Sequence, residues 1–171
     1  MNKVNKKLLV VIDMQQDFIT GVLGNDECRA IVPAVVEKIK NSNVDTVYTL
    51  DTHDTNYLQT QEGKNLPVEH CIKPGKGWNL IPELQNIKML KGFEKTTFGS
   101  IDLAEWIKDM GYTQVELIGV CTDICVISNA MTIKAVNPEV EIYVDADCCA
   151  GVTPESHETA LKAMKACQIH V

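Results

Sequence analysis

The chain has 171 residues, of which 45% are hydrophobic and 23% charged, and its formal net charge at pH 7 is −7. This length suits one domain over residues 1–171, and no apolar run approaches the ~20 residues that cross a bilayer, so no membrane role is expected. The acidic balance argues against nucleic acid as a partner, since binding a phosphate backbone needs clustered Lys and Arg.

Apolar runs alternate with longer amphipathic segments along the chain, which is typical of βαβ units and of an α/β fold with a mainly parallel sheet. The predicted strands, in chain order, are KLLVVID ending at Asp13, DTVYTLD ending at Asp51, IKMLKG at 87–92, QVELIGV ending at Val120, VEIYVDA ending at Ala146, and a weak QIHV. Ligands of such sheets bind at the carboxyl ends of the strands. Asp13, Asp51, Lys95 shortly after the third strand, and the turn at 120–125 are therefore predicted to face one rim.

Four helices are predicted between these strands. They are ECRAIVPAVVEKIKNS, SIDLAEWIKDMG with Ser100 as N-cap, DICVISNAMTIKAVN, and TPESHETALKAMKAC, where Thr153 is the N-cap and Pro154 takes the first helical position. The segment from Thr52 to Asn79 lacks such regularity, and a loop of that length in a compact domain is usually functional.

The amino terminus and the cysteines indicate the cellular compartment. MNKVNKKLLVVIDMQ imitates a secretory signal, but its apolar run LLVVI is interrupted by Asp13 and is shorter than the roughly 7–15 residues that a signal needs. The seven cysteines are odd in number and irregularly spaced, so they are predicted to be free thiols in a reducing cytoplasm.

The stretch GVCTDICVISNA carries two cysteines, Cys121 and Cys125, where an apolar run meets a helical pattern. Their C-x-x-x-C spacing fits neither a redox pair nor a zinc knuckle, which favours a nucleophile on a turn. Thr122 is predicted as N-cap, so the helix dipole would lower the pKa of Cys125 and free N–H groups could stabilise an oxyanion. Asp123 would oppose a thiolate and is expected to point away or to serve the turn. The alternative is that both cysteines are small buried hydrophobes.

A thiol nucleophile needs a base, and the chain has only four histidines. A desolvated carboxylate held by a cation can replace histidine, and Asp13 with Lys95 meets that description. Taken singly, Asp13 could instead cap a loop and Lys95 could be a solvated surface lysine.

The irregular segment contains a candidate metal site. Asp51 and His53 are two residues apart, so on an extended backbone their side chains point to the same face. With His70 and Glu62 they form a mixed nitrogen and oxygen ligand set suited to zinc, iron(II) or manganese. Histidines spread through a loop are also often plain surface residues.

Three motifs in order resemble the isochorismatase-like cysteine hydrolase superfamily over essentially the whole chain. They are VIDMQQDF, KTTFGS and GVCTDICV. The resemblance implies a Rossmann-like three-layer sandwich with helices on both faces, and a triad of Asp13, Lys95 and Cys125. It further implies a cis peptide before Cys121 and an oxyanion hole made by the backbone N–H groups of Cys121 and Cys125.

Within the superfamily, the D-x-H pattern followed by a later Glu and His resembles the nicotinamidases. This implies one divalent metal ion, zinc first and iron or manganese as alternatives, held by Asp51, His53, Glu62 and His70. Two aromatic residues, Phe18 and Trp78, are predicted to flank the substrate ring, and core packing is their alternative. The segment HCIKPGKGW departs from the family pattern and is expected to reshape one pocket wall.

The expected function is hydrolysis of nicotinamide, a small-molecule substrate, to nicotinate and ammonia through a cysteine thioester, by a homo-oligomer in the cytoplasm. One alternative is a metal-independent enzyme of the same fold that acts on another small amide or carbamoyl compound. Another is a non-catalytic ligand-binding or thiol-sensing protein, in which Asp13 and Lys95 would be dispensable.

Overall fold

The computed structural model describes residues 5–171; residues 1–4, part of the predicted domain and of the signal-like amino terminus, lie outside the described residues. Five parallel strands form one sheet in the order β3-β2-β1-β4-β5. The strands are β1 Lys7–Ile12, β2 Asp45–Asp51, β3 Lys91–Lys95, β4 Gln114–Val120 and β5 Glu141–Ala150.

Helices cover both faces of the sheet. They are α1 Gln16–Ile19, α2 Asp26–Ala30, α3 Val32–Asn41, α4 Gln61–Asn65, α5 Pro82–Gln85, α6 Ile101–Asp109, α7 Ile127–Val136 and α8 Pro154–Ala166. Side chains of β1 alternate between two cores: Leu8 and Val10 pack with α6, α7 and α8, whereas Leu9 and Val11 pack with α1, α2 and α3. The predicted three-layer α/β sandwich is confirmed.

The order of strands places a switch point beside β1. The chain runs from β1 outward through β2 to β3, then crosses back to β4 on the other side of β1 and continues to β5. Gly119 permits the close pairing there: its φ is +117°, and a Cβ atom would lie 2.2 Å from the carbonyl oxygen of Ile12. The connections that leave β1 and β4 run to opposite faces of the sheet, which leaves a crevice for a ligand at the carboxyl ends of these strands.

Two predicted strands lie at different positions in the structure. The third strand was expected at 87–92 but occupies Lys91–Lys95, because the ladder to β2 runs from Val47 opposite Lys91 to Asp51 opposite Lys95. The apolar residues before it belong to a loop, where Leu90 is 58% exposed. The fifth strand continues beyond Ala146 to Ala150, since a register shift between Leu117 and Gly119 lets DCCA pair again with β4.

Other boundaries also differ from the predictions. The first strand ends at Ile12, and the helix expected over 27–42 is two helices separated at Ile31, with Pro33 near the start of the second. QIHV forms a single bridge between His170 and Tyr143 rather than a strand. The Thr52–Asn79 segment contains a 3₁₀ turn, Tyr57–Gln59, and α4.

The predicted caps of two helices are confirmed. The hydroxyl of Ser100 accepts the N–H of Leu103, and that of Thr153 accepts the N–H of Ser156, with Pro154 in the first turn. Within residues 5–171, none of the helices combines the length and the apolar composition that a membrane span requires.

Candidate active site and metal site

Four chemically active side chains meet at the carboxyl ends of β1 to β4. Asp13 follows β1, Asp51 and Lys95 end β2 and β3, and Cys125 lies in the turn after β4. The Nζ atom of Lys95 lies 2.6 Å from Asp13 Oδ2 and 3.5 Å from both Asp51 Oδ1 and Cys125 Sγ. Lys95 was expected just after its strand and is instead the last strand residue, which places its side chain at this rim.

Asp13 is held in an unusual backbone conformation at the end of β1. Its φ is +47°, in the left-handed region that Asp tolerates better than most residues. The hydroxyl of Thr49 donates to Asp13 Oδ1 at 2.6 Å and accepts the N–H of Asp13 at 3.2 Å. Thr49 thereby occupies one carboxylate oxygen and leaves Oδ2 facing Lys95.

Burial and charge set the protonation of this cluster in opposite ways. Burial raises the pKa of Asp13 above its usual value, with Lys95 opposing the rise and Asp51 adding to it. Burial by itself would lower the pKa of Lys95, but Asp13, followed by Cys125 and Asp51, raises it above the usual value. These shifts favour the charged form of Lys95 and make the carboxylate of Asp13 a stronger base.

The turn that carries Cys125 begins at a cis peptide between Val120 and Cys121, as the family resemblance implied. Residues Thr122–Val126 form one π-helical turn that leads into α7. Thr122 was wrongly predicted as N-cap: its hydroxyl lies 2.8 Å from Nδ1 of His157 on α8, so it is engaged with another helix. Asp123 accepts the N–H of Val152, which lies between β5 and α8 and not in the turn itself.

The expected lowering of the Cys125 pKa by the helix dipole is wrong. Burial raises the pKa of Cys125 well above its usual value, Asp13 raises it further, and Lys95 opposes the rise. Cys125 is only 5% exposed, and burial is the largest cause of the rise in its pKa. These effects favour the thiol form of Cys125 over the thiolate beside Asp13 and Lys95.

The four predicted metal ligands are brought together. Potential ligand atoms of Asp51, His53, Glu62 and His70 all lie within 4.8 Å of one another. Asp51 Oδ2 is 2.9 Å from His53 Nε2 and 3.4 Å from His70 Nε2, and Glu62 Oε1 is 3.6 and 3.7 Å from the same two nitrogens. In a tetrahedral zinc site with bonds of about 2.0–2.1 Å, ligand atoms are about 3.3 Å apart. The donor set and its spacing fit a divalent metal ion.

Neighbouring groups orient these ligands. Nδ1 of His70 lies 2.8 Å from the carbonyl oxygen of Val68, which can only accept a hydrogen bond, so Nδ1 is the donor and Nε2 of the neutral ring is available as a ligand atom. The ring of Tyr57 packs against both histidines, with centroids 4.7 Å from His53 and 4.9 Å from His70. Its hydroxyl donates to the carbonyl of Leu66 at 3.0 Å and lies 3.4 Å from Glu62 Oε1.

The two predicted aromatic residues lie on the same side of the sheet, within one apolar core. Phe18 is buried, and its ring centroid is 5.7 Å from that of His70, which places it beside the predicted metal ligands. Trp78 is half-buried, its indole N–H donates to the hydroxyl of Thr52, and Lys73 lies over its ring. A cavity of 290 Å³ opens nearby; it is lined by Thr52, His53, Asp54, Asn56, Thr60, Gln61, Glu62, Thr96, Thr97 and Phe98.

Sequence reasoning missed several residues that hold the site. The buried amide of Gln15 donates to the carbonyls of Asp51 and Trp78 and accepts the N–H of Asp51. Gln15 lies inside the DMQQDF motif, and Thr49 lies two residues before Asp51 on the same strand face, so both had a local signal. Asn129 contacts the site through three backbone groups, and its helical position gave no such signal.

Comparison with known families defines the class of protein. The model of the Isochorismatase domain family matches residues 7–171, nearly the whole chain, and the chain belongs to that family. The parallel sheet and the residues at its rim agree with this assignment.

Individual relatives are distant in sequence but match over nearly their full length. The nicotinamidase/pyrazinamidase of Mycobacterium tuberculosis is 25% identical over 96% of this chain and 97% of its own. The solved structure of a nicotinamidase/pyrazinamidase from Bacillus subtilis is 27% identical, with a TM-score of 0.81 over 97% of this chain and 100% of that one. The pyrazinamidase of Pyrococcus horikoshii, solved in complex with zinc, is 28% identical, with a TM-score of 0.78 over 96% of this chain and 97% of that one.

Proposed function

We propose that this amide hydrolase cleaves the carboxamide of nicotinamide, giving nicotinate and ammonia through a thioester on Cys125. The observation that carries the proposal is the adjacency of two clusters: Lys95 contacts Asp13 and Cys125, and also Asp51 of the four-ligand group. Hydrolysis of an amide agrees with the family and with relatives named as nicotinamidases.

In the proposed reaction Cys125 is the nucleophile and Asp13 the base. The thiol gives its proton to Asp13, whose raised pKa suits that task, and sulfur attacks the carboxamide carbon. The ammonium of Lys95 stabilises both negative groups in turn. Asp13 then returns the proton to the departing ammonia, and a water molecule activated by Asp13 hydrolyses the thioester.

The oxyanion of the tetrahedral intermediate would be met by the backbone N–H groups of Cys121 and Cys125. Both belong to the turn that begins at the cis peptide, so their amides are fixed by the same backbone segment as the nucleophile. Such preorganised donors are typically worth about 2.7–4 kcal/mol each in the transition state.

Asp51, His53, Glu62 and His70 would hold one divalent ion, with zinc as first choice. The ligand types and the zinc in the Pyrococcus relative support this choice, with iron or manganese as alternatives. When bound, the ion would coordinate the pyridine nitrogen and orient the substrate ring. Phe18 beside His70, and Trp78, would then flank that ring.

The proposal also covers the domain organisation, cellular location and oligomeric state of the enzyme. One domain over residues 1–171 agrees with a family match that begins at residue 7 and with a single sheet among the described residues. A cytoplasmic location and a homo-oligomer remain predictions, the former from the odd number and irregular spacing of the cysteines.

The decisive experiment measures ammonia release from nicotinamide by the purified protein, with metal content determined on the same sample. Turnover should vanish in Cys125→Ala, persist in the matched buried-thiol variant Cys149→Ala, and fall after chelation. Turnover that survives Cys125→Ala would exclude the thioester mechanism.

A protein that binds metal but does not turn over nicotinamide would retain the family mechanism and lose the substrate assignment. The next assay would then be a panel of other small amides and carbamoyl compounds. A wild-type protein with neither metal nor activity would contradict the assignment of the 51–70 ligand set.

A further inference from the structure

One buried amide side chain connects the nucleophile turn to the lysine segment. Asn129, on α7, is fully buried. Its Nδ2 atom donates to the carbonyl of Cys125 at 2.8 Å and to the carbonyl of Phe98 at 3.0 Å, and its Oδ1 accepts the N–H of Ser100 at 3.0 Å. Three hydrogen bonds therefore join one side chain to two separate backbone segments.

The segment held by Asn129 is the one that positions Lys95. The carbonyl of Thr97 accepts a hydrogen bond from Lys95 Nζ at 3.1 Å, and the next residues are the ones bonded to Asn129. Gly99 brings this segment directly against α7, because a Cβ atom there would lie 2.7 Å from the hydroxyl of Thr132. A shift of residues 97–100 would therefore carry the ammonium group with it.

The other end of the connection is the nucleophile itself. Asn129 bonds the carbonyl of Cys125, the residue whose sulfur lies 3.5 Å from Lys95 Nζ. The amide thus fixes both partners of that contact, and it does so through backbone groups. Loss of these bonds would also leave buried backbone groups without their partner, which favours a shift of either segment.

We propose that Asn129 is the positioning residue that sets the separation of Lys95 Nζ and Cys125 Sγ. It touches neither substrate nor metal ligands in this role and acts by holding the backbone of residues 97–100 against the backbone of Cys125. The inference rests on the proposed roles of Lys95 and Cys125 but is independent of which amide is the substrate.

Three variants separate this role from general stability. Asn129→Leu removes all three hydrogen bonds at similar side-chain volume. Asn129→Ser keeps a hydroxyl that can bond the carbonyl of Cys125, as Thr132 bonds Ser128 at the same spacing, but that cannot hold the lysine segment. The matched control is Asn137→Leu, since Asn137 also joins α7 to the α6 side of the molecule, through the carbonyl of Ala104 at 2.9 Å.

The direct measurement is the rate at which iodoacetamide alkylates Cys125 in each purified variant at a fixed neutral pH. Peptide mass spectrometry separates this thiol from the others, and buried Cys149 reports general opening of the fold. A displaced Lys95 no longer favours the thiolate, and one unit of thiol pKa is about ten-fold in thiolate. Alkylation of Cys125 should slow about ten-fold in both Asn129 variants and remain unchanged in Asn137→Leu.

The sign of the effect decides the outcome. Faster labelling of Cys125 together with Cys149 means that Asn129 only stabilises the fold, and this overturns the proposal. Unchanged labelling of Cys125 in Asn129→Ser also overturns the proposal. If Asn129→Leu does not fold, the test is made on Asn129→Ser alone.

Turnover gives a second readout on whichever amide the wild type hydrolyses. The kcat should fall by at least about ten-fold with little change in KM, because the reacting groups are displaced while the ring and metal contacts remain. A rise in KM at constant kcat would contradict the role. If the wild type does not hydrolyse nicotinamide, the proposed substrate fails while the alkylation result still tests Asn129.

Discussion

Replacing Lys95 by methionine tests the electrostatic argument for the site most directly. The change removes an ammonium whose side chain is 2% exposed and lies 2.6 Å from Asp13 Oδ2, which has no exposed surface. At that distance and an effective dielectric of about 20, the direct attraction is about 6 kcal/mol. Release of the desolvation cost of the lysine offsets part of it, and removing one partner of a buried pair typically costs about 3–5 kcal/mol.

Lys95→Met is expected to lower the free energy of unfolding by about 3 kcal/mol at pH 7, the lower end of that range. The loss is limited because Asp13 can take up a proton once Lys95 is absent. Its pKa is already raised by burial. A carboxyl group with a folded pKa above its unfolded value favours the folded state at low pH and loses that contribution as pH rises through the folded pKa. The loss of unfolding free energy caused by Lys95→Met should therefore be smaller at pH 5 than at pH 8.

The assay is urea unfolding followed by circular dichroism, with a chelator present so that metal does not contribute. A matched control is Lys73→Met, since Lys73 lies 2.7 Å from Glu94 but both side chains are nearly half exposed, at 42% and 47%. That exposed pair should contribute at most about 1 kcal/mol. Equal losses of unfolding free energy in the two lysine variants would refute the reasoning. So would a double variant, Lys95→Met with Asp13→Asn, whose loss equals the sum of the two single losses, because residues in contact should not act independently.

Three further predictions concern the metal ligands and a surface ion pair. Glu62→Gln should lower zinc affinity by about 10-fold or more in a competition titration, since Oε1 is close to both histidine nitrogens; unchanged affinity would remove Glu62 from the ligand set. Tyr57→Phe retains the ring between the histidines but loses the hydroxyl near Glu62, so the cobalt-substituted absorption spectrum should shift, and an identical spectrum would exclude the contact. Lys38 is paired with Glu116 and Asp145, and Lys38→Met should cost about 1 kcal/mol. Burial would raise the pKa of Asp145, but hydrogen bonding to Lys38 outweighs burial and lowers it. The stabilisation by this ion pair is therefore present above the unfolded pKa of the carboxyl group and is lost as pH falls through the lower folded pKa. Urea unfolding from pH 7 to 3 measures this, and a constant cost of Lys38→Met over that range would contradict the prediction.

The placement of most side chains of the candidate site was predictable because it depends on short local patterns. Asp51 and His53 share a face because strand side chains alternate, and the structure places their ligand atoms 2.9 Å apart. The GVCTDICV motif marked Cys125, and the family resemblance that it carries implied the cis peptide before Cys121. The alternation of apolar runs and helical segments marked the parallel sheet. Ser100 and Thr153 cap their helices through contacts that span three residues.

Other features depended on partners distant in the chain. The third strand is Lys91–Lys95 because those residues pair with β2, whereas the apolar residues before it pack from a loop. Burial of Cys125 reversed the pKa shift expected from its helix, and Thr122 bonds His157 instead of capping its own turn. Asn129 bonds Phe98 and Ser100, which lie 31 and 29 positions before it in the sequence.

The sequence by itself therefore determined which functional groups are present and which of them face the rim, because strand alternation and turn chemistry act over a few residues. Only the tertiary structure decided their distances, their desolvation and the buried polar residues that hold them. Those properties are sums over neighbours from β1, β2, β3 and α7, which no local pattern encodes.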